Sequence, residues 1–248
     1  MTRIPPLNCF KAYDIRGRLG DELTEDIAYR IGRAYAEVMS ARRVVLGHDV
    51  RPTSAPLASE LARGLMASGA AVYDLGLSGT EETYFATTHL AADGGICVTA
   101  SHNPMNYNGM KMVKTGSAPI GSADGMAAIK LLAESGKFSP KKAGGKLIDA
   151  SETRVDYVEK LMEFIDVAAL RPLKVLVNAG NGAAGPSFDA LAAALAKASA
   201  PIDFIRIHHV PDGSFPLGIP NPLLKENQHL TAVPVVSNGA DMGVAWDG

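Results

Sequence analysis

The chain has 248 residues, 47% hydrophobic and 20% charged, with a formal net charge of −2; this is a soluble globular composition, long enough for one large domain or two ordinary ones. The slight acidic balance argues against a general nucleic-acid binder, which usually carries a basic excess to neutralise phosphates. No run of about 18 apolar residues and no signal peptide are found, which argues against membrane spanning and secretion, and the two cysteines, Cys9 and Cys97, form no disulfide framework and fit a reducing cytoplasm.

In chain order, Thr24 is a plausible N-cap ahead of the first-turn acids Glu25 and Asp26, and Ile27, Ile31, Tyr35 and Val38 recur at helical spacing. "RRVVLGHD" (42–49) is short and β-branched and predicts a strand, followed by a helix from about Ser54 with Leu57, Leu61 and Leu65 every fourth residue. "AVYDLGL" (71–77) predicts a strand, "TEETYFATTHLAA" (80–92) a helix and "GGICVTA" (94–100) a third strand. Strands alternating with helices of this length imply crossover units and a largely parallel sheet. The Asn108-Gly109 pair reads as a turn.

Residues 136–153 are rich in Gly, Lys and Ser, and "KFSPKKAGG" within them is the best boundary between a domain 1–150 and a domain 151–248. A second cycle follows: a helix over 155–165, a strand over 173–180, a helix over 187–198, a strand over 202–209 and a last strand over 240–248. "NAGNGAAG" (178–185) lacks the Gly-x-Gly-x-x-Gly spacing and any Walker lysine, so it reads as a tight strand-to-helix turn. Pro234 falls inside an apolar helical stretch, where proline costs about 3 kcal/mol, and predicts a kink or an early stop. Met126, Leu131 and Leu132, like Leu191 and Leu195, read as core stripes.

The chemistry gathers after the third strand. Ligands of open α/β sheets collect beyond the carboxyl ends of the strands, and Ser101 sits one residue past such an end, followed by His102 and Asn103. A Gly-x-Ser-x-Gly elbow is missing, so an acyl-transfer nucleophile is not supported. "KAYDIRG" (11–17) contributes Tyr13, Asp14 and Arg16, and "GHDVRPTS" (47–54) contributes Asp49 and Arg51 at the first strand's end. Arginine suits bidentate phosphate contact and lysine supplies a point charge. Singly, the two Asp/Arg pairs could be structural ion pairs; together with Ser101 and Lys111 they point to a phosphate site.

"TASHNP" (99–104), "YDIRG" (13–17), "NGMK" (108–111), "NAGNGAAG" (178–185), "PDGSFP" with "PNP" (211–222) and the terminal "AWDG" (245–248) run in collinear order over nearly the whole chain. Through them the sequence resembles the α-D-phosphohexomutase superfamily, most nearly its bacterial phosphomannomutase branch. The resemblance implies two α/β domains, each a mixed, largely parallel sheet between helices, the second one incomplete. It implies that Ser101 carries a phosphoryl group to a hexose phosphate through a hexose 1,6-bisphosphate, which also serves as activator. Lys111 matches the proposed general base, Arg16 an arginine near the transferring phosphoryl group and His102 the active-site histidine. Tyr13, Arg16, Asn103 and Lys111 are the implied substrate contacts. One Mg²⁺ per site is implied, held by Ser101 and by the aspartates of a loop of which Asp247 is the first. The chain stops at Asp247-Gly248, so the expectation is that the 248-residue polypeptide alone turns over little substrate. Phosphoglucomutase or phosphoglucosamine mutase specificity, or a truncated non-catalytic paralogue, are the alternatives. The resemblance assigns no nucleic-acid or membrane partner and no oligomeric state.

Overall fold

A computed structural model describes residues 6–247. The chain forms two compact units that part between Glu152 and Thr153.

The first unit contains strands β1 (Asp14–Arg18), β2 (Arg43–His48), β3 (Ala71–Leu77), β4 (Gly94–Val98), β5 (Tyr107–Lys114), β6 (Ala118–Pro119) and β7 (Lys146–Asp149), with helices α1 (Glu25–Val38), α2 (Ser54–Ala67), α3 (Thr80–His89) and α4 (Ala127–Ser135). Its sheet runs β1-β5-β4-β2-β3-β7, with β6 paired to β5. The β4-β2-β3-β7 pairs are parallel and those of β5 with β1, β4 and β6 antiparallel, so the sheet is mixed with a parallel centre. Alternation along each strand sorts the side chains. Ile15, Leu46, Ile96, Val98, Met110 and Met112 face the large core with Ile31, Leu61, Leu65 and Ile129 of α1, α2 and α4. Val45 and Leu75 face the opposite side, where Ala86 of α3 packs.

Local sequence explains the helix starts and the close packing. The Thr24 hydroxyl accepts from the Ile27 amide at 3.3 Å ahead of Glu25 and Asp26, satisfying one orphan donor of α1. Helices α1 and α2 cross where both carry glycine. A methyl group on Gly32 would lie 2.3 Å from the Leu61 carbonyl oxygen, and one on Gly64 would lie 2.1 Å from that of Tyr29. The helices can approach this closely only because both positions lack a side chain.

Four expectations change. Asn108 and Gly109 lie inside β5, with Asn108 fully buried, so the turn signal is overridden. Tyr107 and Lys114 bound a strand whose pairing on both sides outweighs local turn preference. "KFSPKKAGG" lies ahead of the division between the units, which falls at Glu152/Thr153: the Lys142 amide donates to Ala67 O at 3.0 Å and Ser139 O accepts from buried Arg33 at 2.6 Å, which ties the segment to the first unit before β7 extends its sheet. Leu131 is exposed, whereas Met126 is buried and Leu132 packs on the core. Pro234 does not stop its helix, as described next.

The second unit contains α5 (Thr153–Met162), β8 (Leu173–Asn178), α6 (Ala184–Lys197), β9 (Ile202–Ile207), α7 (His229–Ser237) and β10 (Met242–Ala245). Its sheet, β10-β8-β9, is wholly parallel. Val175, Val177, Phe188 and Ala192 form its core, with Phe188 set edge-on to Phe204 at 4.9 Å between centroids. The run after β8 is a tight turn into α6: Gly180 and Asn181 take left-handed backbone, and the Gly180 amide donates to the Asn178 side chain at 3.0 Å. Helix α7 continues through Pro234 for three more residues. Among the described residues no helix is long and apolar enough to cross a membrane.

Two outcomes follow from the packing. Gly64→Ala is expected to lower stability by about 1–3 kcal/mol in urea titrations despite alanine's better helix propensity, because the added methyl meets backbone. Burial pushes the Cys9 thiol up to about 11 and the Cys97 thiol up to about 12. Thiolate, the reactive form, is therefore scarce at pH 8, and an aromatic disulfide reagent should titrate both thiols in denaturant and neither promptly in the native protein.

Candidate functional site

The site grows from the carboxyl end of β4, a strand buried along its whole length between β2 and β5. Beyond Val98 the Thr99 amide still pairs with Gly109 O at 3.0 Å, and its hydroxyl then accepts from the Ser101 amide at 2.9 Å. That bond turns the chain sharply: Ser101 is nearly buried and takes a left-handed φ of 50°, a region uncommon for a non-glycine residue. Its hydroxyl lies 3.3 Å from His102 Nδ1. The Asn103 amide closes on Ala100 O at 3.0 Å and the Tyr107 amide on Pro104 O at 2.9 Å, returning the chain into β5.

Beneath this loop sits Arg51. Its side chain is almost wholly buried, and its two terminal nitrogens donate to the backbone carbonyls of Ser101 (2.7 Å), Asn103, Pro104 (3.1 Å) and Tyr107 (3.3 Å). Asp49, at the end of β2, holds Arg51 in place. It accepts from the Arg51 amide at 2.9 Å and from the Ser54 hydroxyl, and its second oxygen is 3.6 Å from Arg51 Nε. Burial pulls the Arg51 guanidinium below its ordinary range; the Asp49 charge opposes this and that of Arg16 adds to it. The Asn108 side chain, reaching from β5, donates at 2.9 Å to both Thr53 and Ser54 hydroxyls and accepts from the Gly109 amide at 2.8 Å. Gly109 lets β1 close in, since a methyl group there would stand 2.1 Å from Ile15 O.

The expected site residues are distributed as follows. Asp14 and Arg16 belong to the edge strand β1 and not to a loop; Arg16 bonds Asp14 at 2.9 Å, and its buried Nε has no partner among the described residues. Lys111 is half-buried in β5, level with Asp14 on one side and Cys97 on the other, so it reaches its place by strand register and not through an Asn-Gly turn. Tyr13 is 73% exposed. His102 is exposed and Asn103 half-buried, the latter's carbonyl being taken by Arg51. Asp247 belongs to the second unit, exposed, two residues past β10.

Ser101 of the first unit and Asp247 of the second are the two expected Mg²⁺ ligands. Mg²⁺ asks for near-octahedral oxygen ligation, and among the described residues no group of three or more His, Cys, Asp or Glu is gathered to hold a metal.

Arg51, Asn108, Thr99 and Ser54 are the residues sequence reasoning missed or misread. The usable signal was Asp-x-Arg followed by Thr-Ser just past a strand, a pattern suited to a side-chain-capped turn.

Two family models match this chain: "Phosphoglucomutase/phosphomannomutase, alpha/beta/alpha domain I" over residues 7–139 and "alpha/beta/alpha domain II" over 155–248. The phosphomannomutase of Salmonella typhimurium is 56% identical over 244 residues, 98% of this chain and 53% of the relative. That of Escherichia coli is 56% identical over 245 residues, 98% and 54%. A Xanthomonas campestris protein named "Phosphohexose mutases" is 52% identical over 245 residues, 98% and 53%. A phosphoglucomutase/phosphomannomutase family protein of Burkholderia thailandensis superposes with a TM-score of 0.83 at 35% identity, covering 97% of this chain and 52% of that one. The chain spans about half the length of the curated relatives it matches.

Asn108→Ala is expected to cost about 1–3 kcal/mol in urea unfolding, the penalty for leaving the buried Thr53, Ser54 and Gly109 groups short of a partner.

Proposed function

The chain belongs to the phosphoglucomutase/phosphomannomutase family, and from that membership we propose that the full-length gene product is a phosphohexomutase interconverting mannose 6-phosphate and mannose 1-phosphate. The observation that carries this reading is the serine loop: a single hydroxyl, Ser101 Oγ, is held at the carboxyl edge of the sheet by backbone that Arg51 and Asn108 fix in place. The relatives named as phosphomannomutases support mannose specificity. Broader hexose-phosphate specificity is the second reading, favoured by the name of the Xanthomonas relative.

Phosphoryl transfer asks the protein for in-line positioning and for neutral surroundings of the equatorial oxygens more than for a strong nucleophile. Ser101 carries the phosphoryl group and passes it to the hexose phosphate, giving a hexose 1,6-bisphosphate. After the intermediate turns round, Ser101 takes back the other phosphate. The bond to Ser101 Oγ that breaks in the first half is re-formed in the second, so no phosphate is consumed. His102 Nδ1, beside the hydroxyl, orients it. Arg16 offers a buried Nε–H that lacks an acceptor among the described residues, the kind of donor an anionic oxygen satisfies. Lys111 takes the proton of the sugar hydroxyl that accepts the group. Tyr13 and Asn103 complete the proposed substrate contacts, and hexose 1,6-bisphosphate charges a serine that has lost its phosphate. The 248-residue polypeptide by itself is proposed to turn over little substrate.

In the full-length product, Ser101→Ala is expected to abolish turnover and the phosphate mass increment gained from glucose 1,6-bisphosphate, with stability within about 0.5 kcal/mol of wild type. Lys111→Ala should slow turnover by about 10²–10⁴-fold, the range of a general base, while phosphoserine stays detectable. Normal turnover by Ser101→Ala in a coupled assay would end the carrier reading; normal turnover by Lys111→Ala would end only the base assignment.

A further inference from the structure

We infer that Arg51 is a positioning residue that sorts the backbone dipoles of the Ser101 loop, turning carbonyl oxygens inward and leaving an amide edge toward the phosphoryl group. This rests on the reading of Ser101 as a phosphoryl carrier. Arginine at the end of a strand beside a phosphate loop is the side chain that sequence reasoning gives to the phosphate itself. Here its terminal nitrogens are committed instead to the carbonyls of residues 101, 103, 104 and 107.

The consequence follows from peptide geometry. In a trans peptide the N–H points opposite to the C=O of the same unit, and the described chain contains no cis bond. A carbonyl of Ser101 aimed at Arg51 therefore sends the His102 N–H the other way, and a carbonyl of Pro104 does the same for the Met105 N–H. The unit after Asn103 carries no N–H because Pro104 follows. A loop free to choose would show an approaching anion a mixture of carbonyl and amide dipoles. The clamp removes the repulsive oxygens from that side and leaves the His102 and Met105 amides there, while the Asn103 amide is taken by Ala100 O; fixed backbone N–H dipoles of this kind favour an anion.

The chemistry requires arginine and its aspartate. Four acceptors spread over seven residues need a rigid fork of donors, which guanidinium has and the compact ammonium of lysine lacks. Asp49, 3.6 Å from Arg51 Nε and bonded to the Arg51 amide and Ser54 hydroxyl, balances the buried charge and fixes where the fork points. The terminal nitrogens of Arg51 act on the loop through its backbone carbonyls, so the proposed effect on chemistry passes through Ser101 and the amides beside it.

The test uses the full-length gene product with Arg51→Lys, and Asp49→Asn should the lysine variant fold poorly. Amide exchange over residues 100–108 is read by mass spectrometry. The rate of Ser101 phosphorylation is read by intact mass at saturating glucose 1,6-bisphosphate. In that step the Ser101 Oγ–P bond forms as the P–O bond to the sugar breaks, and the serine proton ends on the departing sugar oxygen, giving hexose monophosphate. The expected result is exchange faster by about tenfold and phosphorylation slower by about tenfold or more, at unchanged final stoichiometry. A merely structural defect would lower the stoichiometry and leave the rate of the folded fraction alone. Unchanged exchange overturns the clamp, and faster exchange with a wild-type rate overturns the sorting of dipoles. A wild-type protein that takes no phosphate refutes the carrier reading and this role together; phosphorylation of wild type and variant at equal rates refutes the role alone.

Discussion

A buried guanidinium shared among four carbonyls is the constraint from which the serine loop takes its shape. Removing such a charge from water costs several kcal/mol unless partners meet it fully. Arg51 is met by Asp49 and by a ring of charge-assisted backbone bonds. The dependence runs both ways. The loop has no regular hydrogen-bond ladder of its own between β4 and β5, so its carbonyls need a donor, and the arginine has nowhere to place its charge if the loop opens. Thr99, Asn108 and Ser54 extend the same logic from the strand ends, each spending a side-chain bond on backbone or on the next member of the chain.

The sheet supplies the other half of the geometry. Antiparallel pairing puts Lys111 opposite both Asp14 and Cys97, so the basic groups of β1 and β5 are brought together by register across one strand boundary. This is how residues nearly a hundred positions apart come to share one sheet edge. The second unit repeats the parallel strand-helix theme on a smaller sheet, with Phe188 and Trp246 filling the space beside β8.

Much of this was legible in the sequence because burial leaves a period. The helices from Thr24 and from Ser54 and the strands before His48 and Leu77 declare themselves by spacing and by their stops. The serine was legible too, as a hydroxyl at the end of an apolar strand. What escaped was whatever depends on a distant partner. Asn108-Gly109 carries the composition of a turn, yet Thr53 and Ser54 satisfy the asparagine and β1 needs the missing side chain of the glycine. The polar stretch after Lys137 looks like a linker until Arg33 and Ala67 are seen to bond it. Arg51 looked like a phosphate ligand because no local pattern tells that its charge is buried. Pro234 forfeits one N–H bond in α7, a helix with no buried residue, and the composition gave no sign that the helix would absorb the loss.

The left-handed backbone of Ser101 also bears on how such a chain can change over time. A non-glycine residue held there costs about 1–2 kcal/mol relative to its relaxed conformation, and a glycine, which adopts it freely, gives back a comparable amount in unfolded-state entropy. Exchanging the whole serine side chain for the hydrogen of glycine at this position is therefore close to neutral for folding. Nothing in the stability of the protein defends its nucleophile; only selection on the chemistry can keep it. A lineage relieved of that selection would drift to an inert, fully folded homologue without crossing any barrier in stability.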